Sequence, residues 1–277
     1  AAAPDRLLSV EDSRRGETRY SYTPTGQLER AEYPDGRVQW RKSDQTGNLY
    51  PDPDMKLRRY LGGGRLEQDG EWHCEYDADG NLTERYLGTG RWLDGKKDRW
   101  RYRWNADGSL AKVVRPDKRE VEFTYDALGR RLSKSFGTTV TRWVWNGNVP
   151  LHQWKQHREY SVMEDRWNTD TERRNMTVWL FDEESFVPVA MLKEGRSYSI
   201  LTDQLGTPTE AYDAEGNEVW SRVLDMDGNV IEETGNKGMV PFLFQGQYYD
   251  RETGLAYNRF RYYSPQMGMY VSQDPIG

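Results

Sequence analysis

Two aspartates near the end of the chain could do chemistry together. Asp250 lies in the segment YYDRETG and Asp274 lies in SQDPIG, 24 positions further on. Two carboxylates that share one proton can hydrolyse an amide, because the neutral one polarises the carbonyl while the ionised one activates water. Each aspartate is also an ordinary turn residue, Asp250 before Arg-Glu-Thr-Gly and Asp274 before Pro275. Taken alone, these residues favour the turn interpretation.

Other reactive side chains lack a partner at a useful spacing. His73 and Cys74 are adjacent, and neighbouring residues of a strand point to opposite faces. Cys74 is the single cysteine, so no disulfide forms within the chain, and both residues are predicted to be structural. The run DEES at 182–185 is predicted to be a solvated turn, and LGGG at 61–64 lacks the lysine of a phosphate loop. No metal site and no cofactor is predicted.

The composition argues against several classes of protein. Charged residues make up 30% of the 277 residues, but the net charge is only -6, which argues against a nucleic-acid binder. The mean hydropathy is -1.00, and no apolar run approaches the roughly 20 residues of a membrane helix. The aromatic residues, 11 Trp and 18 Tyr against 7 Phe, supply apolar surface that can be buried. The chain is therefore predicted to be folded rather than disordered.

A repeated motif predicts the fold class. The segment YDADGNLTERY (76–86) recurs as YDALGRRLSKSF (125–136) and YDAEGNEVWSRV (212–223), with looser copies elsewhere. Asp-x-x-Gly forms a turn, because Asp accepts hydrogen bonds from nearby backbone N–H groups and Gly tolerates a positive φ. The flanking residues alternate with period two, which is typical of strands. We predict an all-β fold of repeated antiparallel hairpins that stack on their neighbours, with Tyr and Trp lining one face.

One region interrupts the repeats. Residues 153–177 are rich in charge and contain no glycine. They could form a long hairpin or a short helix, and a long hairpin with a mobile tip is the favoured interpretation.

Two longer segments carry a family resemblance. LTDQLGTPTEAYDAEGNEVW spans 201–220, and FQGQYYDRETGLAYNRFRYYSPQMGMYVSQDPIG spans 244–277. The first is similar to a block of the Rhs family, also called YD-repeat proteins, in which histidines stand where this chain has Leu201 and Gln204. The second resembles the end of the Rhs core. Together with the YD repeats, the resemblance covers essentially the whole chain.

The resemblance implies a particular architecture. YD repeats of this family curl into a hollow β-shell, or cocoon, that encloses a C-terminal toxin until delivery. Residues 1–240 are then expected to form part of this shell. Residues 241–277 are expected to form a plug inside it.

The resemblance also implies an activity. In the family the plug is an aspartyl autoprotease, which implies one cut in cis just beyond Gly277, with Asp274 and Asp250 as the carboxylate pair. These two positions match those of the related Tc-toxin C proteins if one residue is inserted near Glu252. Lys237 is the nearest upstream basic residue that could assist.

Partners and place of action follow from the same resemblance. The expected partners are the chain's own toxin domain, the remaining N-terminal shell, and secretion spike or chaperone proteins that bind that N-terminal part. Neither a nucleic acid nor a membrane is expected to bind this segment. The family implies residence in the bacterial cytoplasm before export, followed by delivery into target cells, commonly by a type VI secretion system.

Two departures leave alternatives open. The family often has Asp where this chain has Ser264, and Leu243 is a second departure, so an inert scaffold remains possible. A different class is a surface carbohydrate-binding or adhesion β-repeat protein without protease activity, because exposed Trp and Tyr suit sugar stacking. A shell predicts interior aromatic residues and two aspartates that meet near the chain end. A carbohydrate binder predicts an exposed aromatic patch and distant aspartates.

Overall fold

The computed structural model of the chain describes residues 6–88 and 96–274, and every regular element within them is a β-strand. These ranges contain no helix that is long and apolar enough to cross a membrane. The first strands form a small N-terminal sheet of β1 (Ser9–Asp12), β2 (Gly16–Tyr22), β3 (Leu28–Glu32) and β4 (Val38–Trp40). A separate pair follows, β5 (Lys42–Ser43) and β6 (Leu49–Tyr50).

The largest sheet contains the following strands of the chain and closes into a barrel. Its strands are β7 (Arg58–Leu61), β8 (Arg65–Asp69), β9 (Trp72–Tyr76), β10 (Leu82–Leu87), β11 (Lys97–Trp104), β12 (Leu110–Val114), β13 (Glu120–Tyr125), β14 (Arg131–Phe136), β15 (Thr139–Asn146), β16 (Val149–Ser161), β17 (Arg166–Thr169), β18 (Arg174–Phe181), β19 (Pro188–Lys193), β20 (Arg196–Thr202), β21 (Pro208–Tyr212), β22 (Glu218–Leu224) and β23 (Val230–Gly235). The registered pairs are antiparallel and mostly join consecutive strands, as repeated hairpins require. The all-β prediction of stacked antiparallel hairpins is confirmed.

The last sheet is formed by four short strands, which we call the plug sheet. They are β24 (Tyr248–Asp250), β25 (Leu255–Asn258), β26 (Arg261–Ser264) and β27 (Met269–Tyr270).

Each Asp-x-x-Gly turn is closed by the same set of hydrogen bonds. At Asp77 the backbone N–H donates to the Asn81 carbonyl at 3.0 Å, and the Asn81 N–H donates to the Asp77 carboxylate at 2.8 Å. Gly80 has a φ of +82°, a value that side chains disfavour. The same closure recurs in the turns that begin at Asp126, Asp203, Asp213 and Asp225. The repeated motif therefore builds one repeated turn.

A β-bulge follows the turn at Asp77. A side chain of the next repeat donates a hydrogen bond to the backbone at this bulge. Tyr76 lies opposite Leu82 but Glu75 lies opposite Glu84, so Thr83 is an extra residue in β10. At this interruption of the ladder the Leu82 carbonyl accepts a hydrogen bond from Trp104 Nε1 at 2.8 Å. Equivalent bonds join Tyr76 to Leu66, Tyr125 to Leu110 and Trp145 to Arg131. Phe has no donor, which explains why Tyr and Trp outnumber Phe in this chain.

The plug sheet packs against side chains from several strands of the barrel. Trp143 of β15 packs against Tyr248 with ring centroids 5.3 Å apart, and Trp179 of β18 packs against Phe242 at 4.8 Å. The plug also reaches β10, where the Leu82 N–H donates to the Val271 carbonyl at 2.9 Å. Because these contacts come from strands on several sides, the aromatic residues of both parts form one buried core.

The N-terminal sheet is attached to the barrel by charged side chains. Arg14 forms an ion pair with Glu218 of β22 at 2.5 Å, and Arg41 forms one with Asp227 at 2.8 Å. The Asp227 backbone carbonyl also accepts a hydrogen bond from Tyr263 of the plug at 3.0 Å. Asp227 therefore lies where the N-terminal sheet, the barrel and the plug meet.

The segments with irregular sequence have simple structures. The region 153–177 contains a long hairpin, in which the end of β16 pairs with β17 from Arg158 opposite Thr169 to Ser161 opposite Arg166. The hairpin prediction is confirmed, and the mobility of its tip stays a prediction. Residues 62–64 and 183–184 are turns, as predicted.

We expect Tyr76→Phe to lower the free energy of unfolding by about 1 kcal/mol, because the Leu66 carbonyl loses its donor while the ring stays in place. Denaturant titration measures the change. Tyr198→Phe is the matched control, since that ring packs against the same core without a hydrogen bond to a carbonyl of the described residues. Equal losses in the two variants would contradict a role for the repeat-to-repeat hydrogen bond.

Candidate functional site

Asp250 is fully buried at the end of β24 and is bound by two cations of the barrel. Arg131 donates to both of its carboxylate oxygens, with Nη2 3.2 Å from Oδ1, and Lys134 Nζ lies 2.9 Å from Oδ1. Lys134 also bonds Glu252 at 2.7 Å. Two cations and two carboxylates thus form a buried, charge-balanced group, which we call the Asp250 cluster.

A bulge brings the two cations onto one face of β14. Arg131 and Lys134 are three positions apart, a spacing that places side chains on opposite faces of a regular strand. The register shifts at Leu132, so that Arg131 lies opposite Tyr125 and Lys134 lies opposite Phe123. Directly opposite residues share a face, and both aromatic partners pack in the core. The bulge after this turn, like the one after the turn at Asp77, therefore places both cations in the interior.

Aromatic rings surround the Arg131 guanidinium where water is excluded. Its central carbon lies 4.4 Å from the centroid of the Trp143 ring and 4.6 Å from that of Tyr257. The electron-rich faces of these rings attract the cation and replace part of its hydration. Tyr257 also accepts a hydrogen bond from the Arg131 backbone N–H at 2.9 Å. The plug and the barrel therefore hold this side chain from both sides.

The cations keep Asp250 ionised. Burial raises the pKa of the Asp250 carboxyl, but the charges of Arg131 and Lys134 outweigh burial and hold that pKa below its usual value. Burial likewise lowers the pKa of Lys134, and the charges of Asp250 and Glu252 outweigh it and raise that pKa. At neutral pH the cluster therefore holds charged side chains, and Asp250 has no proton to donate.

Asp274 has different surroundings. Its side chain is 54% exposed and pairs with Arg261 Nη1 at 3.2 Å, while the Arg261 guanidinium lies 3.8 Å from the centroid of the Tyr270 ring. A cavity of about 400 Å³ adjoins it, and Arg41 and Arg65 are among the residues that line this cavity. Asp250 is bonded to Arg131 and Lys134, whereas Asp274 pairs with Arg261. The paired action of the two aspartates stays a prediction.

The predicted assisting base lies elsewhere. Lys237 is exposed, and its backbone N–H donates to the Gly235 carbonyl at 2.9 Å. The cations that bind Asp250 are Arg131 and Lys134, which sequence reasoning missed because they precede Asp250 by more than a hundred positions. The only local signal was the basic pair in GRRLSK of a YD repeat.

Ser264 closes a turn of the plug. It is buried, and its backbone carbonyl accepts hydrogen bonds from Met267 at 3.1 Å and Gly268 at 2.8 Å. Its hydroxyl also accepts from the Met267 N–H at 3.3 Å. This position requires a residue that can accept hydrogen bonds from the backbone N–H groups of the turn that follows it.

His73 and Cys74 have structural surroundings. Burial raises the pKa of the Cys74 thiol to about 12, and the His73 ring stacks on Tyr86 with centroids 5.6 Å apart. No group of three or more His, Cys, Asp or Glu residues suited to a metal ion occurs in residues 6–88 and 96–274.

Comparison with known proteins identifies the family. The family model described as the Teneurin YD-shell matches residues 6–276. The chain therefore belongs to the YD-shell family, and the resemblance to Rhs and other YD-repeat proteins is confirmed.

Two relatives that are named as toxins are much longer than this chain. It is 32% identical to Double-stranded DNA deaminase toxin A of Burkholderia cenocepacia, over 98% of this chain and 20% of that protein. It is 33% identical to Toxin protein Tse5 of Pseudomonas aeruginosa, over 78% of this chain and 18% of that protein. The solved Tc holotoxin pore of Photorhabdus luminescens is similar over 94% of this chain and 12% of that chain, at 16% identity and a TM-score of 0.49. The chain spans about a fifth of the length of the two named toxins.

We expect Asp250→Asn to lower the free energy of unfolding by about 3–5 kcal/mol, because it leaves two buried cations with one counter-charge. Denaturant titration at neutral pH measures the change. Asp213→Asn, in a turn at the barrel surface, makes the same substitution and is expected to cost much less, because that carboxylate is exposed to solvent. Similar losses in both variants would show that the Asp250 cluster contributes no more than a turn.

Acid should weaken the contribution of Asp250 to the free energy of unfolding. The pKa of Asp250 is lower in the folded chain than the value of about 3.9 expected for the unfolded chain. The contribution is therefore complete above about pH 5 and is lost as pH falls from the unfolded pKa through the folded pKa. We expect the free energy of unfolding, measured between about pH 2 and pH 6, to fall more steeply in the wild type than in Asp250→Asn. Parallel pH curves for the wild type and Asp250→Asn would contradict the assignment of this pH dependence to Asp250.

Proposed function

We propose that this chain is the C-terminal part of a toxin-effector shell that encloses a toxin and releases it by cutting itself just beyond Gly277. The observation that carries the proposal is the C-terminal sheet, which packs against several barrel strands, is bound through the buried Asp250, and leaves Asp274 partly exposed. Membership of the YD-shell family and identity of 32–33% to two proteins named as toxins support it.

The proposed cut uses the two aspartates in different protonation states. Arg131 and Lys134 keep Asp250 ionised, which suits it to take a proton from the attacking water. Asp274, in its neutral form, polarises the scissile carbonyl. The water oxygen bonds to the carbonyl carbon as Asp250 takes a proton from the water. The carbon–nitrogen bond then breaks, and the leaving nitrogen takes up the proton of Asp274, so that the pair again holds one proton. The reaction requires Asp274 to exchange its contact with Arg261 for one with Asp250.

Delivery is part of the same proposal. A shell that is made in the bacterial cytoplasm and then exported keeps its toxin away from the cell that produces it. The family resemblance favours delivery into target cells by a type VI secretion system. The rest of the shell and the secretion spike are then partners of the whole protein.

A carbohydrate-binding role is less well supported. It requires an exposed aromatic patch, whereas Trp143, Trp179 and Trp220 are at most 3% exposed and belong to the core with the plug. Among the tryptophans of the described residues, Trp167 has the most exposed side chain, at 43%. Tyr160, also 43% exposed, packs on Trp167 edge to face, and two rings in that arrangement at a hairpin end do not form a flat platform for sugars.

The test uses the full-length precursor with its native C-terminal extension. Wild type, Asp274→Asn and Asp213→Asn are expressed side by side and examined by denaturing gel and intact mass spectrometry. We expect the wild type and Asp213→Asn to be cut one residue past Gly277 and Asp274→Asn to remain whole. Asp274 is the informative position, because its partly exposed side chain contributes little to folding, whereas Asp250→Asn disturbs a buried cluster.

Either of two results would overturn self-cleavage by this pair. An uncut wild type would show that the full-length precursor does not cut itself. Equal cutting of wild type and Asp274→Asn would assign Asp274 to a turn and the cut to another protease.

A further inference from the structure

Exposed apolar side chains cluster at one end of the barrel. Three lie in turns between barrel strands and one lies in the hairpin turn between β25 and β26, namely Leu128, Phe186, Leu205 and Phe260. They are between 40% and 61% exposed. Consecutive barrel strands are antiparallel, so the turns after β13, β18 and β20 share one end. No large apolar residue occurs in the short described turns at the other end, at 70–71, 117–118, 137–138, 194–195 and 214–216.

Two of these side chains replace a polar residue of the repeated motif. Leu128 and Leu205 occupy the third position of an Asp-x-x-Gly turn. The other turns of this motif have a polar residue at that position, namely Thr46, Asp79, Glu215 and Asp227. The turn closes with either kind of side chain, because its hydrogen bonds come from the backbone and from the first Asp. The two exposed leucines are therefore not explained by the turn itself.

The turn that contains Leu128 contacts the plug. Gly129 has a φ of +74°, and a Cβ atom at this position would lie 2.8 Å from the Phe260 ring. The Tyr257 hydroxyl donates to the Gly129 carbonyl at 3.1 Å. Leu128 and Phe260 are therefore neighbours at the boundary between barrel and plug.

The turns that contain Phe186 and Leu205 also meet each other and the plug. Val187 directly follows Phe186, and its side chain lies 2.5 Å from the point where Gly206 would carry a Cβ atom. The Phe186 ring approaches Gly246, before β24, at 3.6 Å in the same sense. The four apolar side chains thus surround the outer end of the plug, and we call them the apolar rim.

The chain continues from the same end of the barrel. Gln273 packs on Gly80, which lies in the turn between β9 and β10 at the end that carries the rim. Asp274 pairs with Arg261, and Arg261 directly follows Phe260 of the rim. A segment that follows Asp274 in the precursor therefore begins beside the rim. A short tether gives such a segment an effective concentration on the order of millimolar.

We propose that the apolar rim is a docking surface for an apolar stretch of the C-terminal extension of this chain. The inference rests on the proposed toxin segment beyond Gly277, and it does not require self-cleavage. Covering adjacent apolar side chains is favourable, and the tethered extension meets the rim more often than a second copy of the protein does. A cut would remove the covalent link and leave this contact in place.

Photo-crosslinking in the full-length precursor tests the docking. The photoreactive residue p-benzoylphenylalanine replaces Leu128 or Leu205 of the rim, or Leu192 as the matched control. Leu192 is a leucine of β19 that is 45% exposed and lies toward the other end of the barrel. Mass spectrometry identifies the linked peptides. We expect both rim positions to link to one stretch beyond Gly277, and the control position to give no link to that stretch.

Hydrogen exchange of that stretch measures how much the rim contributes. Leu128→Thr and Leu205→Thr remove apolar surface and keep the turn, since Thr46 occupies the same turn position. We expect each to speed exchange in the docked stretch at least about fivefold, and Leu192→Thr to leave the exchange unchanged. The unfolding midpoint shows whether each variant is folded, and the two rim variants lie in separate turns, so misfolding of one leaves the other as the test.

Several outcomes would overturn the docking. Links to residues that precede Ala1 would assign the rim to the rest of the shell, and a linked product of twice the mass would assign it to a second copy. Links scattered along the whole extension, no links, or equal exchange in rim and control variants would show that no stretch is docked. The same gels report self-cleavage separately: an uncut precursor with the expected links removes self-cleavage alone, and a cut precursor without them removes the docking alone.

Discussion

Burial of Asp250 between Arg131 and Lys134 constrains how the C-terminal segment sits in the barrel. A carboxylate loses its hydration on burial, and it stays ionised there only if cations meet it at hydrogen-bond distance. Asp250 meets both cations only when β24 lies at one position along β14. A shift of the plug by one residue would leave charges buried without partners. The cluster therefore defines the register of the plug more than it adds to stability.

The repeat supplies the geometry that this cluster needs. A bulge after the Asp-x-x-Gly turn shifts the alternation of β14, so that Arg131 and Lys134 face inward together. The same bulge interrupts the backbone ladder, and the Trp145 indole N–H donates to the Arg131 carbonyl at 2.7 Å. One local feature thus positions the side chains of the cluster and links each repeat to the next. At the position of Arg131, two other repeats have the buried apolar residues Leu82 and Leu110, and this one has a cation.

The two ends of the plug differ in how firmly the barrel holds them. Near β24 the plug is bound by buried charges and aromatic rings, whereas near Asp274 it is bound by a partly exposed ion pair beside a large cavity. Local opening requires least free energy where few groups are buried. A rearrangement that brings Asp274 to Asp250 is therefore easier to achieve by moving the end of the plug than by moving β24. Arg41, which directly follows β4 of the N-terminal sheet, lines that cavity. The N-terminal sheet therefore also borders the end of the plug that this rearrangement would move.

The amino-acid sequence by itself determined the all-β fold, the repeated turns and the family, because these depend on short-range chemistry. Asp and Gly at fixed spacing close a turn wherever they occur, and alternation of polar and apolar residues predicts strands without knowledge of their neighbours. The long hairpin in 153–177 was also predicted, since neither a turn glycine nor a helical period was present. The identity of Asp250 and Asp274 as candidates came from motifs of the same local kind.

Only the tertiary structure decided what surrounds those candidates. Arg131 and Lys134 reach Asp250 across more than a hundred positions, and a bulge reverses the face that simple alternation assigns to one of them. Lys237 is closer in sequence but lies exposed, because sequence separation does not measure distance in a closed barrel. Burial and pairing are properties of the assembled fold, and they set the charge state on which the chemistry depends.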